Sequence, residues 1–196
     1  MARKRKTDAD SAVPAAMMAF WKSGFHALGT RQLEDETGIT RFSLQTSYGG
    51  KKHLFLIALD TYIDLLESHL LQQMHTGTLE GLARFFEHRP IPQDMTHMTC
   101  NGCLMVNSIV EFPRDDTSVN ARAERFFDLL RGSFRSALKD LQTRQQIRCD
   151  LDPQVLAELL VSLTLSINLG NKSAAANTNL PAQTAAIGSL IRSWAI

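Results

Sequence analysis

Along most of the chain, apolar residues recur every three to four positions, the spacing of one helix face. Alternating β-branched runs are absent, and Gly and Pro fall between the periodic segments. The pattern predicts an all-α protein. A first helix is expected from about Asp10 to Ser23, with Pro14 near its first turn, where proline is tolerated, and Gly24 as its stop. Two short helices follow. One begins at Thr30, a suitable N-cap, and stops at Gly38; the other runs from Arg41 to Tyr48 behind a Thr40 cap and closes at Gly49-Gly50. A long helix is expected from Lys51 to about Met74, with Leu54, Phe55, Ala58, Leu59, Tyr62, Leu65 and Leu66 as its apolar stripe. Further helices are placed near 78–88, 103–112, 116–142, 152–169 and 181–194, with loops over 89–101 and 170–180.

Composition narrows the class. Apolar residues make up 44% of the 196, enough to bury a core, so disorder as the main state is excluded. The net charge of +1 excludes a protein that coats nucleic acid non-specifically, although a site-specific binder remains compatible with it. Residues 1–66 carry nine basic and seven acidic groups, and the remainder twelve and thirteen, so any polyanion is expected at the N-terminal end. Three cysteines, Cys100, Cys103 and Cys149, do not suit a disulfide-built secreted fold. No apolar signal region follows the basic tail Arg3–Lys6, and Leu156–Gly170, the most apolar stretch, is broken by polar residues. A soluble, cytoplasmic protein with no membrane partner is expected.

The informative segment is 29–48. A two-turn helix, then Gly-Ile-Thr, then a second two-turn helix is the helix-turn-helix arrangement. Gly38 permits the positive φ of a tight turn, and Leu33, Ile39 and Leu44 would lock the helices together. The outer face of the second helix is then free to enter a major groove. It offers Arg41, Phe42, Ser43, Gln45, Thr46 and Ser47. Arginine suits guanine, glutamine suits adenine, and an apolar group suits the thymine methyl. The helix starts at Thr30, Thr40 and Lys51 would present backbone N–H groups to phosphates.

From Val13 to about Leu59 the sequence resembles the TetR/AcrR family of bacterial transcriptional regulators. The likeness lies in Ala15-Ala16, Phe20-Trp21-Lys22-Ser23-Gly24-Phe25 and Thr30-Arg31-Gln32-Leu33. It continues in Thr37-Gly38-Ile39-Thr40-Arg41, Ser43-Leu44, Tyr48-Gly49, Lys51 and Leu54-Phe55. The resemblance implies an N-terminal three-helix DNA-binding domain over 1–66 and a helical ligand-binding and dimerisation domain over 67–196. It implies DNA contacts from Thr30, Arg31, Thr40, Arg41, Phe42, Ser43, Gln45, Thr46, Ser47, Tyr48 and Lys51. It further implies a homodimer paired through the last two helices, acting as a repressor that an unidentified small molecule releases from a pseudo-palindromic duplex operator. Three positions depart from the family. Gln45 stands where a backbone-contacting Tyr is usual, Ser47 where His or another aromatic is common, and Phe42 where Gly or Pro is frequent. These departures imply an unusual operator preference.

The remaining constellations are weaker. Cys100 and Cys103 form a C-x-x-C with His97 before it, but a structural zinc site wants four ligands, so no metal is expected. Asn101-Gly102-Cys103-Leu104 resembles a family segment in which the cysteine is a small packed residue; the alternative function is a helical protein that senses thiol-reactive species (oxidants or electrophiles) at Cys103, or a ligand, with weakened operator specificity. Phe85, Phe86, Met105, Phe126 and Phe127, with Met95 and Met98, could line an apolar ligand pocket, although such residues are more often plain core. Glu111, Asp115 and Asp116 read as a solvated helix end or as an N-cap at Asp115 or Asp116. No nucleophile–base pair, Gly-x-Ser-x-Gly frame or phosphate loop occurs, so neither an enzyme nor a cofactor is expected.

Overall fold

The computed structural model describes residues 9–71, 77–88, 101–173 and 179–196. Among these, no strand occurs and the fold is all-α. The helices are α1 (Ala9–Ser23), α2 (Thr30–Thr37), α3 (Arg41–Thr46), α4 (Lys51–Leu65), α5 (Leu79–His88), α6 (Leu104–Glu111), α7 (Thr117–Thr143), α8 (Pro153–Lys172) and α9 (Leu180–Arg192). The helix expected to reach Met74 keeps α geometry only to Leu65, and a π-helical segment, Leu66–Leu71, follows it. The tail Arg3–Lys6, the loop holding Met95, His97, Met98 and Cys100, and Met74 itself lie outside the described residues.

The chain forms two compact units. The first is Met1–Asp64 with Leu104–Arg122, and the second is Leu65–Cys103 with Ala123–Ile196. The first unit thus takes in α6 and the start of α7, in addition to the N-terminal segment that the sequence set apart as 1–66. Its core joins Ala12, Ala16, Ala19 and Phe20 of α1 to Leu54, Phe55, Ala58, Leu59, Tyr62 and Ile63 of α4. Trp21 meets Tyr62 edge to face at 5.2 Å, and Phe55 meets Phe20 at 5.0 Å. Arg122 staples α7 onto α4: its guanidinium donates to the Leu56 carbonyl (3.1 Å) and to Asp60 Oδ2 (2.6 Å).

The second unit buries one face of each of its helices. On α7 the buried positions Ala123, Phe126, Leu130, Phe134, Ala137, Leu138 and Leu141 follow the helical period, as do Leu82, Phe85 and Phe86 on α5. Phe86 stacks on Phe134 at 5.7 Å. Arg192 of α9 holds Glu80 (2.8 Å) and Glu87 (2.6 Å) of α5. Gly188 leaves room for the Glu87 side chain, which a Cβ there would displace. α8 starts at an Asp152 cap that accepts the Gln154 N–H at 2.8 Å. It continues through Gly170 to Lys172, and a Cβ at Gly170 would sit 3.2 Å from Leu180 Cδ1. By length and composition alone α8 could cross a membrane, but it buries Leu156, Leu160, Val161 and Ile167 within this unit.

Candidate nucleic-acid interface

The two-helix element sits in the first unit, and its turn is built by local chemistry. Gly38 ends α2 in the left-handed region (φ 71°, ψ 4°) and donates its N–H to the Glu34 carbonyl. Thr37 donates its hydroxyl to Leu33 O (2.6 Å) and accepts the Ile39 N–H (3.1 Å), which fixes the entry to the turn. Thr40 caps α3 by accepting the Ser43 N–H at 3.1 Å. Leu33, Ile39 and Leu44 are buried together with Leu28, so the apolar sides of α2 and α3 face the unit's core. Gly49 and Gly50 both take positive φ, and Gly50 N–H returns to Leu44 O (2.8 Å), which closes α3 and opens α4 at Lys51.

Of the residues expected to meet DNA, Arg31, Thr40, Arg41, Phe42, Gln45, Thr46 and Ser47 are exposed, whereas Thr30, Ser43, Tyr48 and Lys51 are half-buried. Thr30 is not the cap of α2. Gly29 occupies that position with extended backbone and no side-chain cap bond, and its carbonyl accepts the Leu33 N–H. Glycine is only slightly worse than Ser or Thr at a cap, so the helix tolerates the earlier start. Thr30 becomes the first helical residue, and Arg41 Nη2 lies 3.5 Å from its hydroxyl. Lys51 lies with its Nζ 4.5 Å from the centre of the Phe25 ring; burial pushes its pKa down, and the Glu111 charge partly offsets that.

A brace for this unit comes from residues that sequence reading treated as a solvated helix end. Glu111 accepts the N–H groups of Phe25 (2.9 Å) and His26 (2.5 Å) in the α1–α2 connection. Gly24, at φ 80°, leaves room for it: a Cβ there would stand 3.1 Å from both carboxylate oxygens. Phe112 stacks on Phe55 at 5.2 Å and meets Phe25 at 4.9 Å. Asp116 accepts the Val119 N–H as the cap of α7 and pairs with Lys52 at 2.6 Å. Lys52 and the Ser118 hydroxyl, then the Val119 N–H, hold the Asp116 carboxyl well below the usual carboxylate range. Asp116 fills the N-cap expected at Asp115 or Asp116, with its partner Val119 three residues on; nothing local marks Phe25 and His26 as partners of Glu111, or Lys52 as a partner of Asp116.

Most of the other sequence candidates are buried. Phe85, Phe86 and Phe126 are buried and Phe127 half-buried in the second unit, whereas Met105 is buried in the first. Phe85 meets Phe86 at 5.4 Å and Phe126 meets Phe127 at 5.3 Å. Cys103 precedes α6 and is 2% exposed; Cys149 is exposed. Among the described residues, no three His, Cys, Asp or Glu side chains gather as a metal site.

Known proteins share this pattern. The family model described as "Tetracyclin repressor-like, C-terminal domain" matches residues 80–186, more than half of the chain. The HTH-type transcriptional repressor ComR of Escherichia coli (strain K12) is 23% identical over 202 residues, covering 98% of this chain and 91% of ComR. A TetR-family regulator from Cytophaga hutchinsonii superposes with a TM-score of 0.81 at 14% identity, covering 100% of this chain and 99% of that one. The regulator CifR, solved as a cysteine mutant complexed with 26-bp double-strand operator DNA, gives a TM-score of 0.73 at 20% identity and covers 98% and 100%. This chain belongs to the TetR family of DNA-binding transcriptional regulators.

Proposed function

We propose that this protein is a homodimeric repressor that binds a pseudo-palindromic operator through α3 and leaves it when a small molecule binds. The carrying observation is the α2–α3 element: apolar faces buried on Leu33, Ile39 and Leu44, a left-handed Gly38 turn, and an outer α3 face in water. That arrangement supports entry of α3 into the major groove, with Arg31, Arg41 and the N–H groups at Thr30, Thr40 and Lys51 for phosphates and base edges. Gln45, Thr46, Ser47 and Tyr48 complete the proposed contact set. Repression is favoured by likeness to ComR, which is named a repressor.

Dimerisation is supported by α8 and α9. Beside its buried stripe, α8 leaves Val155, Leu159, Ser162, Ser166 and Leu169 exposed at helical spacing, with Val155 63% and Leu169 65% accessible. On α9 the exposed positions Ala182, Ala185, Ala186, Ser189 and Leu190 are small or apolar. Two such faces on one copy can pair with the same faces on a second across a two-fold axis. A ligand would draw on the aromatic core of the second unit, from Phe85, Phe86, Phe126 and Phe127. It must bind a form that does not fit the operator better than the form that does. The proposed site of action is the cytoplasm. The burial of Cys103 favours packing over thiol sensing.

The test is selection of bound duplex from a random pool, followed by placing the enriched site between a promoter and a reporter. One enriched pseudo-palindrome and lowered expression support the reading. No enrichment overturns operator binding, and raised expression overturns repression. Arg41→Ala should weaken binding and relax discrimination at one base position, at a cost of about 1–3 kcal/mol; equal weakening on every sequence would assign Arg41 to the backbone instead.

A further inference from the structure

Part of the polar surface of α3 is engaged with the protein itself. Thr40 donates its hydroxyl to Ser43 Oγ (3.0 Å) and accepts the Ser43 N–H. Thr46 donates its one hydroxyl hydrogen to the Phe42 carbonyl (2.9 Å), so no donor is left on that side chain. Arg41 reaches back toward Thr30. The Gln45 amide lies over Gly50, with Oε1 and Nε2 at 3.6 and 3.7 Å from the place a Cβ would take. Phe42 is the opposite case. It is the second residue of α3, one turn before Thr46, and its side chain is 76% exposed. None of the ring contacts among the described residues includes it.

A lone exposed apolar residue needs no explanation on an ordinary surface. At the start of the helix proposed to enter the major groove, its chemistry becomes selective. A phenyl ring donates and accepts no conventional hydrogen bond. Of the four bases, only thymine presents an apolar group, its 5-methyl, on the major-groove floor.

We infer that Phe42 is a specificity-determining residue whose ring takes the 5-methyl group of a thymine in each operator half-site. The inference rests on the proposed operator binding and deepens it: a methyl contact from Phe42 joins the polar contacts proposed for Arg41 and Gln45.

The experiment starts from the duplex enriched by wild-type protein. Each thymine of the half-site is replaced in turn by deoxyuridine, which removes only the methyl. At one thymine per half-site, affinity should fall about fourfold, the worth of one buried methyl, and roughly 15-fold when both half-sites are changed. Phe42→Ala should bind thymine and deoxyuridine duplexes equally, while Phe42→Leu should keep part of the difference. Removal of an exposed side chain leaves the core intact, and the wild-type deoxyuridine series stands without any variant. The inference is overturned if no thymine is sensitive, or if the sensitivity survives in Phe42→Ala. It is also overturned if Phe42→Ala loses affinity while no thymine is sensitive, which would make the ring a wedge between bases. An absence of any enriched duplex is a different failure: it removes the operator reading, and this inference with it.

Discussion

Glu111 shows how much one side chain can organise. Its two oxygens accept two main-chain N–H groups of the α1–α2 connection, 85 and 86 residues away in sequence. Replacing it with Ala leaves both donors without that acceptor. The expected loss is about 1–2 kcal/mol of stability, read as a lower urea midpoint with an unchanged slope. Glu111→Gln keeps one acceptor oxygen and should lose less; equal loss in both variants would mean the charge, not the hydrogen bonds, carries the effect. None of this is legible in the sequence, because a carboxylate three residues from a turn looks the same whether it faces water or a distant amide. Thr40 is the contrary case. Its partner is Ser43, three residues on, and a cap signal acts over that distance. The one-residue error at Thr30 came from the same local rule: glycine and threonine are close competitors for a cap, and the polar partner that Thr30 finds, Arg41, is eleven residues away.

Helices were legible because burying one face imposes a period, and that period survives in α4, α5, α7, α8 and α9. What the period does not carry is the job of each face. On α8 the buried stripe contains Leu156, Leu160 and Ile167, while Leu159 is 37% exposed on the other stripe with Val155 and Leu169. Leu159→Lys should therefore leave each chain folded yet prevent pairing. Sedimentation should show monomers, and operator affinity should fall by roughly two orders of magnitude as the second half-site stops being an intramolecular partner. A dimer that persists in this variant would move the interface off this face. The α5–α9 contact makes a second prediction. Arg192, then Arg84, holds the Glu80 carboxyl at about 2, against an ordinary 4.5, and Arg192 likewise lowers Glu87. The Glu80 contribution is thus present above pH 4.5 and is lost as pH falls toward 2. Glu80→Gln should be less stable than wild type at pH 7, and thermal melts should show that gap narrowing below pH 4.5. A gap that stays constant would mean the carboxylate is not what Arg192 holds.

Across the complete protein, charge and symmetry constrain how DNA can be bound. A net charge of +1 gives the chain little general attraction for a polyanion, so binding must come from a few placed cations. Arg31 and Arg41 are exposed on the α2–α3 element, and half-buried Lys51 opens α4. Two or three phosphate contacts per protomer make about four to six per dimer, which predicts a log–log salt slope of about −4 to −5. A slope near −10 would demand further cations, and the sequence offers them in Arg3, Lys4, Arg5 and Lys6. Deleting those four residues separates the cases: the slope stays near −4 if α2–α3 carries the contacts and becomes shallower if the tail does. Symmetry adds an independent constraint. Paired recognition helices read half-sites whose centres are about one duplex turn apart, so inserting five base pairs rotates one half-site to the far side of the DNA. Binding should then drop to that of a single half-site while the salt slope halves. Unchanged affinity after the insertion would mean that each protomer reads DNA alone, and the exposed faces of α8 and α9 would need another partner.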